Sequence, residues 1–261
     1  MTPKHLCLFC DAPADSLEDV LPVWSQEKLK GRLPILVSGF SGDRPIPLQG
    51  MRSNLRTRCV CKKCNMGWMS HLEGETRRII GPLMEDVHFG FDADQQSTIV
   101  KWAIKTAMTG ESFNRRNRKL FYTRDECAKF RQSWQIPPHT LVWIGRYTGV
   151  FNLGIFGIDG WDKHPKEPGV TQAYTTTVTL GRVVMQVVSL HVARHLYKGT
   201  VNINAEHGPW EHALLDLRPS NRGLFWPPPL SFSDKGTPTL RSLVERFRVG
   251  ALPARPLRPG A

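Results

Sequence analysis

Two pairs of cysteines constrain this sequence more than any other feature. Within each pair two residues separate the cysteines, and about fifty residues separate the pairs, which are Cys7 with Cys10 and Cys61 with Cys64. Two thiolates at this spacing can bind one tetrahedral Zn²⁺, and two such pairs complete a four-sulfur structural site. The sequence therefore predicts a zinc ion that closes a loop long enough to contain structure of its own.

The alternative is that these cysteines form disulfides or are simply buried. The chain has only six cysteines in 261 residues. It shows no apolar signal-peptide core and no run near the roughly 18 apolar residues of a membrane span. We therefore expect a cytoplasmic protein with no membrane partner, where paired cysteines more often bind metal than form disulfides. For Cys59 and Cys127, which are left over, we expect buried thiols.

The chain also carries an excess of positive charge. It has 35 lysines and arginines against 23 aspartates and glutamates, a formal net charge of +12, which favours a polyanionic partner. Two basic clusters stand out, Arg52, Arg56, Arg58, Lys62 and Lys63 before and within the second cysteine pair, and Arg115, Arg116, Arg118 and Lys119 beyond it. Either cluster alone could be a solvated face, but beside a zinc site contact with nucleic-acid phosphates is favoured.

The hydrophobic pattern predicts helices first and strands afterwards, which indicates an α+β fold. Helices are expected at 65–84, 97–112 and 124–134. One short strand is expected at 35–37, and the later strands of an antiparallel sheet at 140–147, 150–158, 175–180 and 183–192. The leading glycine of Gly181-Arg182 suits a tight hairpin loop between the last two strands. The proline-rich stretch 218–239 is expected to lack regular structure.

We expect this chain to form two domains and a tail. Its length allows one large domain or two of ordinary size, and the first ninety residues are nearly balanced in charge, whereas the remainder carries most of the positive excess. The expected units are a zinc-bound domain at 1–90, an α+β domain of unknown role at 91–250 and a flexible tail at 251–261.

The first unit contains three linked motifs, which are Cys7-x2-Cys10, then Glu18-Asp19-Val20-Leu21-Pro22-Val23-Trp24, and then the run Cys59-Val60-Cys61-Lys62-Lys63-Cys64-Asn65-Met66-Gly67-Trp68-Met69-Ser70-His71-Leu72-Glu73. Together they resemble the zinc-bearing HNH endonucleases of bacteria and their phages. The resemblance is specific over residues 7–73 and continues faintly through 102–107. It implies a ββα-metal finger, in which a hairpin, a loop and a helix surround the catalytic site, as the core of the α+β fold.

The resemblance also implies a second, catalytic cation, Mg²⁺ or Mn²⁺. Glu18 and Asn65 would be its ligands, and Asn54 would brace the loop. The cation would stabilise charge on the scissile phosphate and the leaving oxygen. Basic residues would hold the nucleic-acid backbone, namely Arg56, Arg58, Lys62 and Lys63. The implied function is metal-dependent hydrolysis of phosphodiester bonds, in DNA rather than RNA.

Asp19 departs from the family, because it stands where a histidine general base is usual. A carboxyl group with a pKa near roughly 3.9 is ionised at neutral pH but is a weak base toward water. Asp19 could itself act as base or metal ligand, another histidine could supply the base, or the finger could bind nucleic acid without cutting it. The alternative function is therefore a catalytically decayed HNH-type module. A third possible function is that of an interaction protein, in which zinc only shapes a surface that binds another protein.

Overall fold

The computed structural model describes residues 5–29, 35–41, 44–47, 55–114, 120–149, 153–161, 171–192, 212–217 and 223–233. The helices are α1 (Val23–Lys28), α2 (Lys62–Cys64), α3 (Ser70–Leu83), α4 (Ala93–Asn114) and α5 (Arg124–Ser133), with a π-type turn, Asn65–Met69, joining α2 to α3. The strands are β1 (Ser16–Asp19), β2 (Ile35–Ser41), β3 (Arg44–Pro47), β4 (Arg56–Val60), β5 (Phe89–Phe91), β6 (Thr140–Tyr147), β7 (Leu153–Trp161), β8 (Thr171–Leu180), β9 (Val183–Val192), β10 (Leu214–Asp216), β11 (Leu224–Trp226) and β12 (Ser231–Phe232). The predicted α+β class is confirmed.

The three predicted helices are all present. The first runs from Lys62 through the π-type turn to Leu83. Helix α4 begins earlier than predicted, because Asp92 and Gln95 exchange hydrogen bonds between their side chains and backbone N–H groups and so cap its first turn. Helix α5 begins with the same kind of capping box, formed by Thr123 and Glu126.

The N-terminal strands form a small sheet of their own. Strand β1 pairs antiparallel with β4, so that Glu18 lies opposite Thr57 and Asp19 lies opposite Arg56. Helix α3 follows β4 through the short α2 and the π-type turn, and helix α4 packs against both α3 and β4. This arrangement sets β1, β4 and two helices around one small core.

The main sheet has eight strands in the order β10-β6-β9-β8-β7-β2-β3, with β12 paired to β6. Strand β9 is apolar on both faces and buried from Val183 to Leu190. Residues Gly181 and Arg182 make the tight turn between β8 and β9, and Gly181 has a φ of +59°. Helix α4 packs against β6, β7 and β9 of this sheet.

Several details differ from the sequence prediction. The four strands predicted to form an antiparallel sheet, β6 to β9, do pair antiparallel. The whole sheet is nevertheless mixed, because β2 pairs parallel with β7 and β12 pairs parallel with β6. Strands β6 and β7 flank Thr148-Gly149 but are separated in the sheet by β9 and β8. The expectation that 218–239 lacks regular structure is wrong for β11 and β12. Both strands are very short. Strand β11 forms its hydrogen bonds with β5, and β12 forms its hydrogen bonds with β6.

The division into two domains stays a prediction. Strand β2 comes from the first ninety residues and yet belongs to the main sheet. Buried apolar side chains form one cluster that runs from Cys7 in the N-terminal loop to Val187 in β9. Within the described residues, no helix combines the length and the apolar character that crossing a bilayer requires.

Candidate metal centre and neighbouring residues

The four paired cysteines converge on one point. The Sγ atoms of Cys7, Cys10, Cys61 and Cys64 all lie within 4.8 Å of one another, and those of Cys10 and Cys61 are 3.6 Å apart. Sulfurs bound tetrahedrally at about 2.3 Å from one ion would be about 3.8 Å apart. The four cysteines can therefore hold a structural metal ion, as their spacing predicted.

Local hydrogen bonds place the two cysteine pairs side by side. The N–H of Cys7 donates to the carbonyl of Ala12 over 2.7 Å and turns the N-terminal loop back on itself. The N–H of Leu8 donates to the carbonyl of Cys59 over 2.7 Å and fastens that loop to β4. Cys61 caps α2, since its sulfur accepts a hydrogen bond from the N–H of Cys64 over 3.4 Å. A metal ion bound by the four cysteines would therefore join a loop and a helix start that these hydrogen bonds already hold side by side.

The two leftover cysteines lie outside the metal cluster. Cys59 and Cys127 are buried, as predicted. Burial raises the pKa of Cys59 to about 12, so its sulfur stays a thiol at neutral pH. Burial also raises the pKa of Cys7 within the cluster, but there a bound cation would favour the thiolate and offset the cost.

Glu18 does not face solvent. Its side chain is only 3% exposed, and Oε1 lies 3.0 Å from the ammonium Nζ of Lys105 on α4. The same ammonium lies 2.7 Å from Oε1 of Glu73 on α3. These three side chains form a buried ionic triad that joins β1, α3 and α4. The side chain of Lys105 is fully buried, so both charges on its partners help to compensate its lost hydration.

The pKa shifts of the triad follow from this geometry. Burial alone would lower the pKa of Lys105, but the carboxylates of Glu18 and Glu73 outweigh burial and raise it. Burial raises the pKa of Glu18, and the attraction of Lys105 offsets only part of that shift. The lysine is therefore firmly charged, and the triad holds a cation between two carboxyl groups.

Asp19 points away from Glu18, because successive side chains of a strand alternate between its faces. Its Oδ1 accepts a hydrogen bond from Nε of Arg56 over 2.8 Å, on the exposed side of the small sheet. The structure thus does not bring Glu18 and Asp19 to one point.

Asn65 connects the π-type turn to β1. Its Nδ2 donates to Ser16 Oγ over 2.9 Å and to the carbonyl of Leu17 over 3.0 Å. This amide braces the strand next to Glu18, but its hydrogen-bond partners differ from those of the Glu18 carboxyl group. Asn54, the other asparagine that the resemblance implied, lies outside the described residues.

Four basic residues of the first cluster are exposed on the elements that lead into and follow Cys61. Arg56 and Arg58 are exposed on β4, and Lys62 and Lys63 are exposed on the first turn of α2. The N–H of Lys62 donates to Asp15 Oδ1 over 2.8 Å, which fixes the start of that helix. The second basic cluster, 115–119, and Arg52 lie outside the described residues.

Sequence reasoning missed Lys105 as the shared partner of Glu18 and Glu73. The signal was present, since Lys105 interrupts an otherwise uncharged stretch of a helix with a buried face, Trp102-Ala103-Ile104-Lys105-Thr106-Ala107. Lysine is almost never fully buried unless it is paired. The pattern therefore required an acidic partner, although it could not name one.

Comparison with known proteins leaves the family open. No protein-family model matches this sequence, and no curated protein or solved structure matches the chain.

Proposed function

We propose that residues 5–83 include an HNH-type zinc module that binds nucleic acid without cleaving it. The observation that carries the proposal is the position of the Lys105 ammonium, 3.0 Å from Glu18. In the nucleases that the sequence resembles, the corresponding acid would hold the catalytic cation. Here the carboxyl group of Glu18 is buried and already paired with a cation supplied by the protein.

The position of Asp19 supports the same proposal. A catalytic base must be free to accept a proton from water. The Asp19 carboxylate instead accepts a hydrogen bond from the charged guanidinium of Arg56, so this oxygen is not free to take a proton from water. The family's usual histidine would stand at residue 19, which is aspartate here, and neither β1 nor β4 contains a histidine.

The cysteine cluster would bind Zn²⁺, because four thiolates form a soft tetrahedral site that selects zinc over hard cations. With four protein ligands the ion would have no open position for water or substrate, so its role would be structural. It would hold exposed basic residues of β4 and α2 in a fixed arrangement.

Electrostatics support a nucleic-acid partner. The formal net charge is +12, and the zinc-adjacent surface presents Arg56, Arg58, Lys62 and Lys63. Phosphate contacts of this kind dominate non-specific nucleic-acid affinity and make it strongly dependent on salt.

A metal-dependent DNA endonuclease is the second candidate. It is favoured by the order of elements, since antiparallel β1 and β4 precede a helix that begins at Lys62, and Asn65 on its π-type turn bonds to β1. That order matches a ββα-metal finger. Catalysis would require Mg²⁺ or Mn²⁺ to bind beside Glu18 in competition with Lys105.

Cleavage and binding assays separate the candidates. We expect the zinc-loaded protein to bind labelled DNA with an affinity that falls steeply as salt rises, and to leave supercoiled plasmid intact with Mg²⁺ or Mn²⁺. Glu18→Ala and Asn65→Ala proteins, checked for retained zinc, are the matched variants. Metal-dependent nicking that disappears in both would overturn the proposal in favour of the endonuclease. Absence of salt-sensitive binding would favour the protein-interaction alternative.

A further inference from the structure

An open cleft of about 820 Å³ lies between the N-terminal loop, β4 and the start of α5. Three arginines line it, Arg56 and Arg58 from β4 and Arg124 from the first turn of α5. No aspartate or glutamate is among its described lining residues. The described lining is therefore basic, although two of its arginines pair with aspartates at the rim. Its volume lies in the range of pockets that enclose a ligand about the size of a nucleotide.

Apolar side chains lie between the arginines. Leu6 and Leu17 both line the cleft, and each is 48% exposed. Exposed leucines add nothing to the binding of phosphates alone. Unstacked bases, by contrast, offer flat apolar faces that can cover such side chains, and single-strand binding sites combine a basic groove with surfaces for bases. In a duplex the base faces are stacked on one another and unavailable.

The ion pairs at the rim do not block the cleft. Arg124 Nη2 lies 3.0 Å from Oδ1 of Asp11, whose side chain is 99% exposed, and 3.3 Å from the carbonyl of Cys10. Arg56 is held by Asp19 in a partly exposed pair. Exposed pairs of this kind contribute about 0–1 kcal/mol. Phosphate oxygens can therefore take the place of Asp11 on Arg124 at little cost. Arg56 bonds Asp19 through Nε, so its terminal Nη groups can contact a phosphate while Asp19 stays paired.

We infer that the cleft binds a single-stranded segment of nucleic acid. Arg56, Arg58 and Arg124 contact its phosphates, and Leu6 and Leu17 contact unstacked bases. This inference rests on the proposed nucleic-acid function and narrows its partner from nucleic acid in general to single strands.

The test compares a short labelled oligothymidylate with a duplex of the same length, by fluorescence anisotropy at several salt concentrations. We expect tighter binding of the single strand. Arg124→Gln weakens it about fivefold or more and lowers the salt slope by about 1, as expected for one phosphate contact. Leu17→Ser weakens single-strand binding several-fold without changing the salt slope. Lys129→Gln, which removes the same charge from an exposed position on α5 outside the cleft, has less than about a twofold effect.

Each contrary outcome has a separate meaning. Equal or tighter duplex binding, with Arg124→Gln no different from Lys129→Gln, overturns the cleft inference and leaves the proposed nucleic-acid function standing. Displacement of the oligonucleotide by polyglutamate as readily as by unlabelled oligothymidylate also overturns it, since an unspecific anion surface would then suffice. No salt-sensitive binding to either nucleic acid removes both the inference and the proposed function.

Discussion

The cysteine region, residues 5–19 and 55–69, and the main sheet are held together in different ways. The cysteine region depends on a few side chains with specific chemistry, the four clustered cysteines and Glu18 of the ionic triad. The sheet depends on many interchangeable apolar side chains, such as those that bury β9 on both faces. We therefore expect single substitutions to be severe in the first region and graded in the second.

The largest effect is expected from loss of the metal site. With Zn²⁺ bound as proposed, Cys61→Ser should remove one of its four ligands and release it, and structural zinc contributes about 10–16 kcal/mol to the folding of isolated zinc-finger peptides. Hydrogen exchange should rise over residues 55–69, while β9 stays protected. Zinc content by elemental analysis and exchange mass spectrometry check this. Cys127→Ala, outside the cluster, is the control that should retain zinc.

Lys105→Met should be the next most severe change. It leaves the buried carboxyl group of Glu18 without its cation, and breaking a buried ion pair costs about 3–5 kcal/mol. Adding Glu18→Gln should recover part of the loss, because a neutral amide is cheaper to bury than a charge. Chemical denaturation of the single and double variants measures both effects. Lys101→Met, on the same helix but only partly buried, should cost less than about 1 kcal/mol.

Gly181→Ala tests where the main sheet meets the helices. Gly181 has a φ of +59°, and an added Cβ would lie 2.7 Å from the carbonyl oxygen of Met84, just after α3. Left-handed backbone and close contact together should cost about 2 kcal/mol. Gly74→Ala on α3 has open space around the new methyl group and should be neutral or slightly stabilising. Equal thermal midpoints for the two variants would contradict the expected contact between β8–β9 and the end of α3.

The smallest effect is expected at Glu126, which ties α5 to the sheet. Burial alone would raise its pKa, but hydrogen bonds from His191, 2.8 Å away, and from Thr123 lower it below the ordinary value of 4.5. A lowered pKa means stability that is present above about pH 4.5 and is lost as pH falls through the folded-state value. Glu126→Gln should cost about 1 kcal/mol at neutral pH and flatten the acid limb of a stability profile. Asp125→Asn, an exposed neighbour, should leave that limb nearly unchanged.

Much of the fold could be predicted from the sequence where the signal is local. Strands β6 and β9 occur at their predicted bounds because their β-branched and apolar residues form continuous runs between turn residues. The parallel pairing of β2 with β7 could not be predicted, since periodicity carries no information about partners distant in the chain. The placement of β9 and β8 between β6 and β7 could not be predicted for the same reason.

The candidate site likewise has one part that the sequence predicts and another that it does not. The cysteine cluster could be predicted because ligand spacing is written directly in the sequence. Alternation along β1 implies that Glu18 and Asp19 face opposite sides, but not which of them is buried. That depends on α4, whose Lys105 reaches Glu18 from 87 residues away. Nuclease chemistry and nucleic-acid binding remain proposals.

The position of β2 also has a consequence for the order of folding during synthesis. Strand β2 lies inside the loop that the two cysteine pairs close, but its parallel partner β7 begins only at Leu153. At about 5–20 residues per second, a ribosome would complete the cysteine region several seconds before that partner emerges. In this interval a metal ion could already bind the two cysteine pairs and close the loop. The edge of β2 that later pairs with β7 would still lack its partner strand. Chaperone capture of nascent chains ending between these points should therefore fall sharply once β7 has been made.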